Sequence, residues 1–238
     1  MEEPLLAWYS AHGRDLPWRR TRDPYAILVS EVMLQQTQVH RVLSRYAAWL
    51  ERWPTVGDLA TAPLADVIRQ WQGLGYNRRA VNLHRSAVVI AARGWPSDLT
   101  ELPGVGRYTA DAVSRFAFGA TVLPVDTNVR RVQERSGATF GPASAHALMD
   151  LGATVCLARN PRCGLCPLAT TCPSRGGRFP PLRKQSPFEG SFRQRRARTL
   201  RLVSSGPSAL GDLDGEAVAA LARDGLVRVS DGVVSLPD

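Results

Sequence analysis

Lysine is almost absent from this 238-residue chain: of its 30 lysine and arginine residues, all but Lys184 are arginine. A primary amine is what a side chain needs to form a Schiff base. Residues 1–183 therefore exclude lysine-based covalent catalysis. Long apolar runs are missing too, since none approaches the roughly 18 residues of a membrane-spanning helix, and no basic N-terminal stretch leads into an apolar one. The expectation is a soluble, cytoplasmic protein with no membrane partner. Acidic residues are outnumbered, 21 against 30, leaving a net charge of +9. That balance favours a polyanion, most simply nucleic acid. Hydrophobic residues make up 44% of the chain, which excludes general disorder, and the length holds one large or two modest domains.

What is present centres on Leu102-Pro103-Gly104-Val105-Gly106-Arg107-Tyr108, followed by Pro124-Val125-Asp126-Thr127-Asn128. Both glycines can take positive φ, so they suit a tight turn between helices with the second helix starting at Arg107 or Tyr108. Bare N–H groups at such a turn form an anion site able to grip one phosphate without reading sequence. An ordinary helical hairpin is the plainer alternative. Asp126 opens a helix through Arg135, either as a simple N-cap or as a catalytic carboxylate beside the DNA backbone.

Upstream, Arg14-Asp15-Leu16-Pro17-Trp18-Arg19-Arg20 reads as a loop. Its tryptophan and arginines suit a surface that meets a base and its phosphate, although a core tryptophan is commoner. The periodicity then predicts a helix from Ala26 to about Val39. Glu31 shares a face with Ile27, Leu28 and Leu34. A carboxyl held among apolar neighbours favours its protonated form and can act as an acid; a buried structural glutamate is the alternative. Helices over Val42 to Trp53 and Leu64 to Trp71 follow, and His84 reads as structural.

All four cysteines fall in one window, Cys156, Cys163, Cys166 and Cys172, with six, two and five residues between them. Thiols this close argue for a metal site over disulfides, and ligand type alone allows zinc or an iron–sulfur cluster.

Three stretches carry a family resemblance: Ser30-Glu-Val-Met-Leu-Gln-Gln-Thr-Gln-Val39, Gly73-Leu-Gly-Tyr-Asn-Arg-Arg-Ala-Val-Asn-Leu-His84, and the Leu-Pro-Gly-Val-Gly hairpin with its aspartate. They resemble the MutY-type adenine DNA glycosylases of the helix-hairpin-helix, Gly-Pro-Asp superfamily. The cysteine spacing is similar to the [4Fe-4S] loop shared with endonuclease III-type enzymes. The resemblance implies a mostly α fold of two helical lobes, one holding the iron–sulfur loop. It implies catalytic roles for Glu31, Asp126, Tyr108 and Asn128, and base recognition by Trp18, Arg19, Leu34 and His146. DNA contacts would fall to Gln35, Gln36, Asn77, Arg78, Gly104, Gly106 and Arg107, and cluster ligation to the four cysteines. The expected domains are 20–132, a helical barrel with the hairpin; 1–19 plus 133–173, the cluster domain; 174–190, a basic linker; and 191–238, a winged-helix-like module ending in an Asp-Gly hairpin.

The chain departs from the family in four places. Asn77 stands where an aromatic residue is common, and His146 where glutamate or glutamine is. Only fifteen residues separate Val132 from Leu148, so a helix of the usual scaffold is expected to be missing. The tail is also too short for the family's larger C-terminal domain. The expected activity is monofunctional excision of adenine opposite 8-oxoguanine or guanine in double-stranded DNA. Tyr108 occupies the position of the lyase lysine in bifunctional relatives, which leaves Lys184 and the N-terminal amine as the remaining amines. A thymine or uracil mismatch glycosylase and a non-catalytic iron–sulfur DNA-binding protein are the alternatives.

Overall fold

The computed structural model describes residues 1–180 and 186–238. Lys184 and part of the expected basic linker lie outside the described residues. Among those described, eleven α-helices and three short strands form two compact units. Unit one comprises Met1–Ile27 and Arg107–Gln185; unit two comprises Leu28–Gly106 and Ser186–Asp238. This division differs from the expected one: residues 20–27 and 107–132, the Asp126 helix included, group with the cysteine loop, and residues 186–238 group with 28–106.

In unit one, α1 (Glu2–His12), α8 (Thr127–Ser136) and α9 (Ala145–Thr154) share a core of Leu5, Val129, Val132, Ala147, Leu148 and Leu151. Gly152 permits the close pass of α9 over α8, because a Cβ there would sit 2.7 Å from the Asn128 Cβ. Gly137 ends α8 in the left-handed region, at φ 67°, where glycine carries no steric penalty. Only a loop and the 3-10 turn Pro142–Ser144 connect α8 to α9. The remaining helix is α7 (Arg107–Phe116).

In unit two, α2 (Pro24–Leu34) runs in from unit one. Asp23 caps it, accepting from the Tyr25 and Ala26 N–H groups at 3.1 and 3.2 Å, and Pro24 takes the first turn, where its missing N–H costs nothing. Every residue from Tyr25 to Met33 is buried, including Glu31, so the helix lies in the core instead of presenting one apolar face. It stops at Leu34, short of the expected Val39. Gln35 and Gln36 consequently lie in a turn, with Gln36 at φ 55°, and α3 (Val39–Arg52) begins beyond it. Then come α4 (Val56–Thr61), capped reciprocally by Thr55 and Asp58, α5 (Leu64–Trp71) and α6 (Arg78–Arg93). Trp49 packs edge-on against Trp53 and Trp71, with ring centroids 4.7 and 5.5 Å apart.

The tail forms α10 (Phe192–Ser205), β1 (Ser208–Ala209), α11 (Gly215–Arg223), β2 (Arg228–Ser230) and β3 (Val233–Ser235), with antiparallel sheet order β1-β3-β2. The hairpin turns on Asp231 and Gly232, at φ 51° and 74°, as an Asp-Gly pair favours. This arrangement is winged-helix-like, but its apolar face is not closed on itself. Leu200, Val203, Val218, Leu221, Leu226 and Val234 share one core with Ile68 of α5 and Val81 of α6. Arg195 pairs with Asp214 and Glu216, and Arg196 with Asp224. Part of the tail's positive charge is therefore neutralised within the tail.

Candidate active site

Unit one holds a cleft of about 290 Å³ lined by Trp18, Arg19, Arg22, Arg115, Phe116 and His146, among others. Three of the four expected base-recognition residues thus meet in one place; Leu34 belongs to unit two. Trp18 and Arg19 lie on the 3-10 turn Pro17–Arg19, started by Pro17. Arg19 is not available as an open cation. Its guanidinium grips Asp150 through two hydrogen bonds of 2.8 and 2.7 Å. Arg14 adds its backbone N–H and its Nε, each at 2.8 Å from an Asp150 oxygen. Asp150 is fully buried. Burial alone would raise its pKa, but the hydrogen bonds of Arg19 and Arg14 and the charge of Arg19 hold it below the usual carboxylate range. The sequence signal was a single acid in the apolar run of α9, and it went unread.

His146 stacks on Phe116, centroids 4.2 Å apart and planes 18° from parallel. Burial first, then the charges of Arg19 and Arg115, outweigh Asp150 and push its pKa down to about 4. At neutral pH the imidazole is therefore uncharged, with one donor and one acceptor.

Asp126 caps α8, with Oδ1 accepting from the Val129 N–H at 2.7 Å, so the cap reading holds whatever else the residue does. Its Oδ2 accepts from Asn128 Nδ2 at 2.8 Å. Asn128 Oδ1 in turn accepts from Arg131 Nη2 at 2.7 Å, and Arg131 also donates to the carbonyls of Gly152, at 2.6 Å, and Cys156, at 2.7 Å. One chain of hydrogen bonds thus runs from the first cysteine to the aspartate. Sequence reasoning overlooked Arg131 because two of its acceptors lie more than twenty residues away.

The four cysteines line one cavity, together with Arg135, Arg175 and Phe179. Among the described residues no three of His, Cys, Asp and Glu close around a point as a single ion requires. Four thiols around a shared cavity instead fit a cluster, in which each binds its own iron. Arg135 donates to the Leu157 and Ala158 carbonyls at 2.7 and 2.6 Å and lies under the Phe179 ring, 3.4 Å from its centroid. These contacts brace the loop from both sides.

In unit two, Glu31 is 7% exposed. The turn after α2 and the turn before α6 carry Gln35, Gln36 and Asn77. Arg79 is buried between them and donates to backbone carbonyls of both. Arg78 is exposed and reaches Asp224 at 3.6 Å. In the Leu102–Gly106 hairpin only Gly104 has positive φ, 76°, and a Cβ there would sit 2.6 Å from Asn82 Nδ2. Gly106 does not use the left-handed region, and a Cβ there would meet nothing within 4 Å. The helix expected before the hairpin is reduced to the 3-10 turn Leu99–Glu101. Arg107 and Tyr108 open α7 in unit one, where Arg107 pairs with Asp111.

The model of the HhH-GPD superfamily of base excision DNA repair proteins matches residues 29–151, and that of the iron-sulfur binding domain of endonuclease III matches residues 156–172. Fold and site thus define a base-excision DNA N-glycosylase that carries a [4Fe-4S] cluster. The adenine DNA glycosylase of Mycolicibacterium smegmatis is 44% identical over 277 aligned positions, which span 98% of this chain and 94% of the relative. The chain belongs to the adenine DNA glycosylase family. Its tail falls within that match, and an alignment longer than the chain itself means that the relative has stretches absent here. A thermostable thymine-DNA glycosylase superposes with a TM-score of 0.65 at 28% identity, covering 72% of this chain and 93% of that one. An endonuclease III trapped covalently on DNA gives 0.62 at 25%, covering 72% and 92%. DNA binding follows from this kinship, and no helix of the described residues is long and apolar enough to cross a membrane.

Proposed function

We propose that the protein hydrolyses the N-glycosidic bond of adenine mispaired with 8-oxoguanine or guanine, acting as a monomer on double-stranded DNA and leaving the abasic strand uncut. The observation that carries this reading is the 44% identity to an adenine DNA glycosylase across 98% of the chain. The fold likeness to a thymine-specific enzyme is weaker and covers less of the chain.

Glu31 gives its proton to a ring nitrogen of the flipped purine, so that the base departs neutral as the bond to the sugar breaks. Asp126, oriented by Asn128, stabilises the cationic sugar until water adds, and the proton released by that water returns to Glu31. Trp18, Arg19, Leu34 and His146 contact the base. In its neutral form His146 offers the donor and acceptor that an amide would offer in its place. Gln35, Gln36, Asn77 and Arg78 enter or line the opened duplex, and Gly104, Gly106 and Arg107 bind phosphate through the hairpin backbone and α7. Cys156, Cys163, Cys166 and Cys172 ligate the cluster, which orders the loop and takes no part in bond breaking. Tyr108 has no amine with which to form a Schiff base.

Single-turnover assays on A:8-oxoguanine, A:G, T:G and U:G duplexes, developed with and without alkali, test this. Adenine release with strand breakage only after alkali is expected, and Glu31→Gln is expected to abolish release while sparing DNA binding. Release of thymine or uracil instead, or undiminished cleavage by the Glu31→Gln variant, would overturn the assignment.

A further inference from the structure

Arg79 is 8% exposed and is used in a way that its sequence neighbourhood does not suggest. Its Nη1 donates to the carbonyls of Val32, Met33 and Gln35 at 2.7, 2.9 and 2.7 Å. Its Nη2 donates to Thr37 Oγ1 at 3.0 Å and to the carbonyls of Leu74 and Gly75 at 3.4 and 2.9 Å, and its Nε to the Tyr76 carbonyl at 3.3 Å. The guanidinium lies over the rings of Trp71 and Tyr76, 5.1 and 5.6 Å from their centroids. Burial lowers its pKa to about 10, so it stays charged at neutral pH. The carbonyl end of α2 supplies the compensating negative potential. A guanidinium brings five N–H donors in a rigid plane, and no other side chain can span two turns in this way.

The two turns are also the strained ones. Among the described residues three non-glycine residues have positive φ, namely Gln36, Tyr76 and Asp231. Asp231 belongs to the tail hairpin. The other two sit in the turns that Arg79 ties together, and such conformations persist only where the surroundings over-determine them.

We infer that Arg79 is a positioning residue for base extrusion: one guanidinium fixes the Gln35–Gln36 turn and the Tyr76–Asn77 turn at a set spacing, so that both enter the duplex as a single rigid wedge. This rests on the reading above that Gln35, Gln36 and Asn77 meet DNA. Arg79 touches no reacting atom, and its effect is on opening the helix.

The test compares the holoenzyme with Arg79→Met, which keeps much of the volume and loses every donor, and with Arg79→Lys, which keeps the charge and loses the fork. Single-turnover adenine release is measured from an A:G duplex and from the same adenine in an unpaired bubble, where little extrusion is needed. Methionine is expected to slow release from the duplex roughly 100-fold and from the bubble less than about 10-fold, with lysine between. 2-Aminopurine at the target position is expected to brighten with wild type and not with Arg79→Met. Equal losses on both substrates, or an unchanged 2-aminopurine signal, would overturn the inference. If Arg79→Met does not fold, the duplex-to-bubble ratio of Arg79→Lys decides in the same way. If wild type releases no adenine from either substrate, the adenine reading falls, and the 2-aminopurine comparison still decides the role of Arg79.

Discussion

Asp150 in unit one and Arg79 in unit two are both buried charges beneath residues assigned to chemistry, yet their surroundings are opposite in kind. Asp150 is met by two guanidinium groups, whereas the hydrogen-bond partners of Arg79 are six carbonyls and a hydroxyl. The contrast bears on what each deletion leaves behind. Without the Asp150 carboxylate two cations remain partly buried with no counter-charge. Without Arg79 there remain only carbonyls short of donors, and a buried charge has been removed. An ion-paired pin is therefore the more costly one to break, and a carbonyl-held pin is the more specific about geometry.

The sharpest way to break this comparison is Asp150→Asn, which is expected to lower the unfolding free energy by roughly 3–5 kcal/mol in denaturant titrations of the holoprotein. Arg79→Met is expected to cost less, about 1–3 kcal/mol. The reverse order would show that the carbonyl cage, not the ion pair, is the stronger anchor.

Next in size, Arg131→Met removes the donor shared by Asn128, Gly152 and Cys156. Base release is expected to fall about 10- to 100-fold, as when a supporting hydrogen bond of a site is lost. The cluster's visible absorbance should fade faster in air as well. Loss of activity with an unaltered cluster would separate the two ends of that hydrogen-bond chain.

The smallest effect concerns pH. The pKa of His146 is depressed from an ordinary 6.5 to about 4, so the folded state resists a proton that the unfolded chain accepts. Its contribution is fully present above pH 6.5 and is lost as pH falls towards 4, with about 2 kcal/mol gone by pH 5. His146→Gln should flatten the stability profile in that window. An unchanged slope would place the titrating group elsewhere.

Much of the candidate site is legible because its signals are local. The cysteine spacing, the Asp126 cap three residues before Val129, the Asp-Gly turn and the lone carboxylate of α2 each lie within a few turns of chain, where spacing maps directly onto geometry. The same locality gave no sign that Arg79 is buried beside an exposed arginine, and it misled at Gln35 and Gln36, whose helical pattern runs on past the point where Arg79 takes the carbonyls. The tail's hairpin was readable, but not its partner, since a strand's apolar side does not say which helix covers it.

By itself, then, the sequence determined the family, the ligands available for a cluster, the want of a lysine in residues 1–183 and the order of the helices. Tertiary structure alone decided that Asp150 binds arginines more than 130 positions away, that Arg79 ties together turns some forty residues apart, and that the tail completes the core of α5 and α6. The physical reason is the same in each case: a buried charge or an apolar face is compensated by whatever packing brings against it, and chain distance does not enter that balance.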